Sequence, residues 1–348
     1  GATYDSGDYR NALSTALDIA SYKDVRAEQA RRRATGEGSF LGIGIATWIE
    51  RSGGQSGRGE FGEVAVASDG SVVAKSGTSS QGQGHKTVLA QIVASALDVD
   101  LECVRVVQGD TGVVPEGTGT FGSRSVQVGG STLHEAARGV VDEARRRAAS
   151  ALEVAEADLS YAAGEFTVVG TNRKLTLSEL AAMDTLSSNS SMSFPQAFPF
   201  GAYVAIVEVD PETGRVEVTK LVVVDDSGVI VNPQLARGQI TGSVAQGIGQ
   251  ALYEGIVYEE SGQLLTGSLM NYAVPTAAEI PPLEYGESVT PNPNAPFGAK
   301  GLGESGCIGT PPAVLNAIHD ALDLPEEIEI EMPAMPEKVW RALRRKNA

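Results

Sequence analysis

Apolar residues recur along this chain with two periods. Leu13, Ala16, Leu17 and Ala20 stand at i, i+3, i+4 and i+7, which predicts one apolar face of a helix that Ser6 or Asp8 can cap. A second helix, rich in Arg, Glu and Ala, is predicted over residues 23–33. From Gly38 the period drops to two. Leu41, Ile43 and Ile45 alternate with Gly42 and Gly44, a strand with one closely approached face. Residues 61–67 and 71–75 flank Asp69-Gly70, a hairpin signal. Val88, Leu89, Ile92, Val93 and Leu97 return to helical spacing, 103–108 reads as a strand, and a long helix follows over 125–155 with Leu133, Ala137, Val140 and Val141 inward.

The second half repeats the alternation. Residues 158–199 look peripheral: a turn at 163–165, a capping box at Thr176 and Glu179, and a crossing loop over 185–199. Strands are predicted at 202–209 and 216–224 around an Asp-Pro-Glu-Thr-Gly turn. The next helix, 237–250, carries four glycines, each costing about 1 kcal/mol against Ala, so it needs close backbone packing or a ligand on its small face. Residues 251–259 are expected to continue as strand, and 311–322 as the last core helix. Tyr253 and Tyr258 are expected in the core or at a subunit contact.

Composition narrows the class. A chain of 348 residues with 42% hydrophobic and 20% charged content reads as globular, with room for two or more subdomains. A net charge of -17 argues against nonspecific nucleic-acid binding, which requires basic patches. No apolar run approaches membrane-span length, and the polar start at Gly1 gives no sign of a signal peptide. Two distant cysteines, Cys103 and Cys307, form neither a disulfide framework nor a zinc or iron–sulfur signature, which fits a reducing cytoplasm.

Candidate chemistry sits at the glycine clusters. Gly77 to His85 places Gln81, Gly82, Gln83, Gly84 and His85 between a strand and a helix start, where free N–H groups and the helix dipole favour an anion. It is neither a Walker A loop nor a G-x-G-x-x-G fingerprint, and a loop that merely caps its helix remains open. The Gln amides offer paired donors and acceptors, and His85 is expected to donate to phosphate or to cap the helix, since no second ligand stands at i+4. Gly117 to Ser125 repeats the arrangement, with Thr120, Phe121, Gly122, Ser123, Arg124 and Ser125 offering N–H groups, hydroxyls and a guanidinium. The third cluster, Phe297 to Glu304, sets Lys300, Gly303 and Glu304 on a stiff turn ahead of a helix. That suits a general base, or a solvated Glu closing a loop. His134, inside the long helix, reads as structural.

Gly298-Ala299-Lys300-Gly301-Leu302-Gly303-Glu304, followed by Ile308-Gly309-Thr310-Pro311-Pro312, resembles the active-site segment of the xanthine oxidase family of molybdenum hydroxylases, closest to the large subunit of the aerobic carbon monoxide dehydrogenase branch. The Gln-Gly-Gln-Gly-His loop, the Gly-Thr-Phe-Gly-Ser-Arg-Ser loop and the Gly-Gln-Ile helix are similar to family segments in the same order, and the likeness runs from about residue 3 to 345. Asn271 stands where the family commonly has Asp. The resemblance implies an α+β fold of mixed sheets with packed helices, the C-terminal half of a molybdopterin-binding subunit, in subdomains 1–180 and 181–348. It implies Glu304 as general base at molybdenum, with Lys300 steadying the loop or the substrate. The cofactor would be molybdopterin cytosine dinucleotide, its pterin on 81–85, its dinucleotide on 120–125, bonded by Gln239 and less firmly by Gln246, with Gly303 beside it; no side chain is assigned as a metal ligand. The missing half would supply a glutamine by the apical oxo group, a Gly-Gly-Phe-Gly-like loop and the substrate-selecting loop. It is expected on a second chain, from a split gene or a cleaved precursor. Subunits carrying [2Fe-2S] and FAD would take the electrons, and the small substrate would be carbon monoxide, an aldehyde or an N-heterocycle. Cys307 is not the copper-binding cysteine of true carbon monoxide dehydrogenases. A cofactor-handling or assembly subunit without catalysis is the alternative, against which the intact Glu304 loop argues.

Overall fold

A computed structural model describes residues 2–36, 38–53 and 59–346; Gly1, the first residue of the polar start, lies outside them. The fold is α+β. Helices α1 (Tyr9–Ile19) and α2 (Tyr22–Thr35) lead into β1 (Phe40–Ile49), β2 (Glu60–Val66) and β3 (Val72–Ser76). Then come α3 (His85–Leu97), β4 (Val104–Val107) and α4 (Ser131–Leu152), the last entered through a π-helical turn, Ser125–Gly130. Short strands β5 (Leu159–Ala162), β6 (Glu165–Val168) and β7 (Lys174–Thr176) precede α5 (Leu177–Met183) and β8 (Leu186–Met192). The chain closes with β9 (Phe200–Val209), β10 (Val216–Asp226), α6 (Pro233–Ile248), β11 (Leu283–Glu287), α7 (Ser305–Leu322) and α8 (Pro336–Lys346).

Two four-stranded sheets carry the architecture, ordered β1-β9-β10-β11 and β4-β3-β2-β8. Pairing crosses residue 180 in both, because β1 pairs with β9 and β2 with β8. Each sheet therefore draws strands from both sides of the division expected at 180. Both faces of the first sheet are covered: α1 packs Ala12, Ala16 and Ala20 on one, and α7 packs Ala313, Ala317 and Ile318 on the other. This explains why β9 is almost continuously apolar, as a strand buried on both faces must be. The second sheet buries Val64, Val72 and Ala74 under α3 and α4.

The closely approached face predicted for β1 is real. A Cβ on Gly42 would lie 2.0 Å from the Ala317 carbonyl oxygen, and one on Gly44 2.0 Å from that of Ala313. The glycines let α7 lie directly on the strand, and the start of α7 is where Glu304 stands. The glycine-rich helix α6 divides in two. Near its end a Cβ on Gly247 would meet Thr310 Cβ at 2.7 Å, while Gly238 and Gly242 face open space.

Two expectations fail here. Residues 251–259 are not strand: a π-helical turn, Gly249–Tyr253, runs into irregular chain in which Tyr258 makes one bridge to Leu264. Tyr258 is exposed, as are Leu269 and Met270. The expected crossing loop at 185–199 instead contains β8, whose Leu-Ser-Ser-Asn-Ser-Ser-Met sequence shows no apolar alternation because only Leu186 enters the core.

Candidate active site

Four separated segments meet in one cleft of about 300 Å³, lined by the loop ahead of α3, the loop ahead of α4, the first half of α6 and the loop ahead of α7. Asn232 joins two of these walls: its amide donates to Gln91 Oε1 on α3 at 3.0 Å, and its carbonyl oxygen caps α6 through the Leu235 N–H.

On the first wall, Gln81 and Gln83 hold each other. Gln83 Nε2 donates to Gln81 Oε1 at 2.6 Å, and the Gln81 N–H donates to Gln83 Oε1 at 2.6 Å. His85 opens α3 and is buried, and its Nδ1 has no hydrogen-bond partner among the described residues. Burial pushes its pKa down, which keeps the imidazole neutral. Gly82 and Gly84 shape this loop without lining the cleft, and Gly122 does the same in the next.

On the second wall, hydroxyls tie the two glycine loops together. Thr120 Oγ1 accepts from the Ser79 N–H at 3.0 Å and from Ser125 Oγ at 2.9 Å. Arg124 lines the cleft but is already committed to partners within the chain. Its guanidinium is buried in an ion pair with Glu60 and donates to the Gly119 carbonyl at 2.9 Å. It braces the loop from behind, while the exposed Phe121 ring lies over it at 5.5 Å.

Gln239 lines the cleft from α6, beside the open glycine face, and its side chain makes no hydrogen bond among the described residues. Gln246 lies farther along the helix, outside the cleft, and accepts from Cys307 Sγ at 3.5 Å.

The loop ahead of α7 is the most constrained segment. The Lys300 N–H donates to Ser227 O at 2.8 Å, the Gly301 N–H to Ser52 Oγ at 3.3 Å, and the Glu304 N–H to Ser123 Oγ at 3.2 Å. A Cβ on Gly301 would sit 2.5 Å from Ser123 Cβ and 2.6 Å from Ser52 Cβ, so only glycine fits between them. The Lys300 side chain is 0% exposed, and its ammonium lies 3.7 Å from Asp226 and 3.8 Å from Asp5 while donating to Thr290 Oγ1 at 3.1 Å. Burial lowers its pKa, and the two aspartates oppose that shift. Lys300 is thus a tie beneath the loop rather than a charge presented to solvent in the cleft. Gly303 and Glu304 line the cleft, and the Glu304 carboxylate is exposed there with no side-chain capping bond to α7.

Three polar residues were missed by sequence reasoning. Ser227 Oγ is buried at the cleft wall without a partner among the described residues. Ser52 donates to Gln127 Oε1 at 2.8 Å behind it. Glu50, just past β1, is 8% exposed, and burial pushes its pKa up to about 7, Ser123 opposing and Glu304 adding to the rise. An isolated polar residue at a strand end carries no local signal, and its neighbours come from distant segments.

The largely apolar cleft thus gathers amides, hydroxyls and the exposed Glu304 carboxylate from four separate segments, an arrangement suited to a ligand with an apolar body and several hydrogen-bonding groups. The chain belongs to the molybdopterin cofactor-binding domain family, whose model matches residues 15–281. It is 37% identical to the carbon monoxide dehydrogenase large chain of Hydrogenophaga pseudoflava, over 100% of this chain and 46% of that relative. It is also 37% identical to the 6-hydroxypseudooxynicotine dehydrogenase complex subunit gamma of Paenarthrobacter nicotinovorans, over 97% of this chain and 44% of the relative. The crystal structure of a Cu,Mo-CO dehydrogenase superposes with a TM-score of 0.92 at 34% identity, covering 100% of this chain and 47% of that one. The chain therefore spans a little under half the length of the relatives it matches, and the expected kinship with the molybdenum subunits of the xanthine oxidase family holds along its whole length.

Proposed function

We propose that this chain is the cofactor-binding half of a molybdenum hydroxylase large subunit and that Glu304 is its general base. The observation that carries the reading is the convergence of Gln81, Gln83, His85, Thr120, Ser123, Ser125, Gln239 and Glu304 on one cleft in a chain of this family. The residues fit the cofactor. Among the described residues, His85 Nδ1 and Ser227 Oγ are buried without partners and the Gln239 amide is uncommitted. Among those residues no group of three or more His, Cys, Asp or Glu gathers as a metal-ligand set, so the metal would be carried by the pterin. Gln81, Gln83, His85 and Gln239 would hold the pterin edge. Thr120, Ser123, Ser125 and the N–H groups opening α3 would hold the phosphates of a cytosine dinucleotide.

When bound, the cofactor supplies two-electron oxidation of a small substrate with oxygen drawn from water. The chain's own contribution is positional. Ser123, Ser52 and Ser227 fix the Glu304 loop through its N–H groups, and Lys300 anchors it from below. The exposed carboxylate then takes up a proton in the cleft. The other half of the large subunit, joined to this chain or borne by a second one, would complete the cleft and select among carbon monoxide, aldehydes and N-heterocycles. Subunits with [2Fe-2S] and FAD would receive the electrons. No helix among the described residues is long and apolar enough to cross a membrane, and a cytoplasmic location belongs to the same reading.

In the assembled enzyme, Glu304→Gln should lower turnover by at least about 10²-fold, the scale of a lost general base, with cofactor content unchanged. Turnover within a few fold of wild type would remove Glu304 from that role.

A further inference from the structure

Glu50 is a buried carboxyl group for which the described residues supply no countercharge. Among the described residues neither of its oxygens has a hydrogen-bond partner, and it forms no ion pair with any of them. The backbone explains how it is held there. The Glu50 N–H donates to Pro199 O and the Ser52 N–H to Ala197 O, both at 2.9 Å, which seals the end of β1 against the strand entering β9. Two groups bear on the Glu50 carboxyl: the Ser123 hydroxyl, from the loop ahead of α4, and the Glu304 carboxylate, from the loop ahead of α7. On α7 itself the titratable neighbour is Cys307, whose thiol is pushed up mainly by burial, with both glutamates adding to the rise. These neighbours are neutral or acidic.

An ionised carboxylate without a cation is disfavoured when buried, and burial here outweighs the Ser123 hydroxyl, which favours the charged form. A second carboxylate nearby strengthens that preference, because two like charges in one site do not ionise together. The pair is asymmetric here, since Glu304 is exposed in the cleft and Glu50 is walled in behind it.

We propose that Glu50 is a positioning residue for Glu304: a carboxylic acid held protonated in the cleft wall, so that the exposed partner carries the single negative charge of the pair. Glu304 can then gain and lose protons through the cleft while Glu50 retains its own. The consequence for catalysis rests on the reading of Glu304 as base; the titration of Glu50 does not, so the two fail separately.

The test is an infrared or carbon-13 carboxyl titration of the purified full chain with isotope-labelled glutamate, run for wild type, Glu50→Gln and Glu304→Gln. Wild type should show a glutamic acid that stays protonated well above the ordinary range and ionises near pH 7. Glu50→Gln should abolish that step. Glu304→Gln should keep it but move it to lower pH by about half a unit to one unit, because a negative neighbour has been removed. Glu304 is exposed, so this variant preserves the test even where Glu50→Gln fails to fold. Absence of any such step in wild type, or a step unmoved by Glu304→Gln, overturns the proposal, as does a step that survives in folded Glu50→Gln.

Discussion

Two buried glutamates flank the loop that precedes α4, and they are treated in opposite ways. Glu60, 1% exposed at the start of β2, receives the Arg124 guanidinium, the Thr118 N–H at 3.0 Å and the Phe61 N–H at 3.2 Å. Glu50, just past the end of β1, has no cation beside it among the described residues, and only the Ser123 hydroxyl opposes the effect of its burial. The first arrangement neutralises a charge and fixes a loop. The second leaves a carboxyl group whose protonation depends on its neighbours, and the most consequential of these lines the cleft. The same residue type thus serves as scaffold on one side of the loop and as an electrostatic control on the other, and the presence of a partner decides which.

The contrast breaks most visibly at Arg124. Replacing it with Ala leaves Glu60 charged, buried and unpaired, which should cost about 3–5 kcal/mol in urea denaturation of the folded chain. A loss below about 1 kcal/mol would mean that the pair does not order the loop. A third buried acid sharpens the comparison. Asp225 is buried with no ion-pair partner among the described residues, accepts from Tyr203 Oη at 3.0 Å, and is pushed by burial from its ordinary 3.8 up to about 7, Tyr203 opposing and Asp226 adding to the rise. Its folded pKa lies above its unfolded one, so the stability it contributes is full below the unfolded value and is lost as pH climbs toward the folded one. Between pH 5 and 7 that loss is about 2 kcal/mol. Asp225→Asn cannot ionise and should escape it, so variant and wild-type stabilities should diverge by that amount over the same interval. Parallel curves would show that Asp225 titrates normally. The smallest effect belongs to Gln83→Ala, whose exposed bonds to Gln81 are local. It should change stability by less than about 1 kcal/mol while weakening cofactor retention, measured as pterin content after gel filtration.

Much of the cleft was legible in the sequence because its parts are local. Three glycine clusters ahead of helix starts can be read from composition and period alone, as can the glycine alternation of β1. The illegible part arises where segments distant in the chain meet. Lys300 and Arg124 carry charges that look available to a ligand, and only the fold shows that Asp5, Asp226 and Glu60 have taken them. Gln246 shares a motif with Gln239 yet lies outside the cleft, since seven residues of helix carry it farther along α6. β8 escaped notice because a sheet edge can be built from serine and asparagine when its partner strand supplies the apolar face. Glu50 escaped because its meaning depends wholly on Glu304.

The most direct measurement is molybdenum and nucleotide analysis of this chain purified with whatever completes its large subunit. The account predicts molybdenum and a cytosine-containing pterin dinucleotide in equal amounts, both sharply reduced when Gln239 is replaced by Ala. A purified assembly that oxidises its substrate yet contains neither molybdenum nor pterin would contradict it.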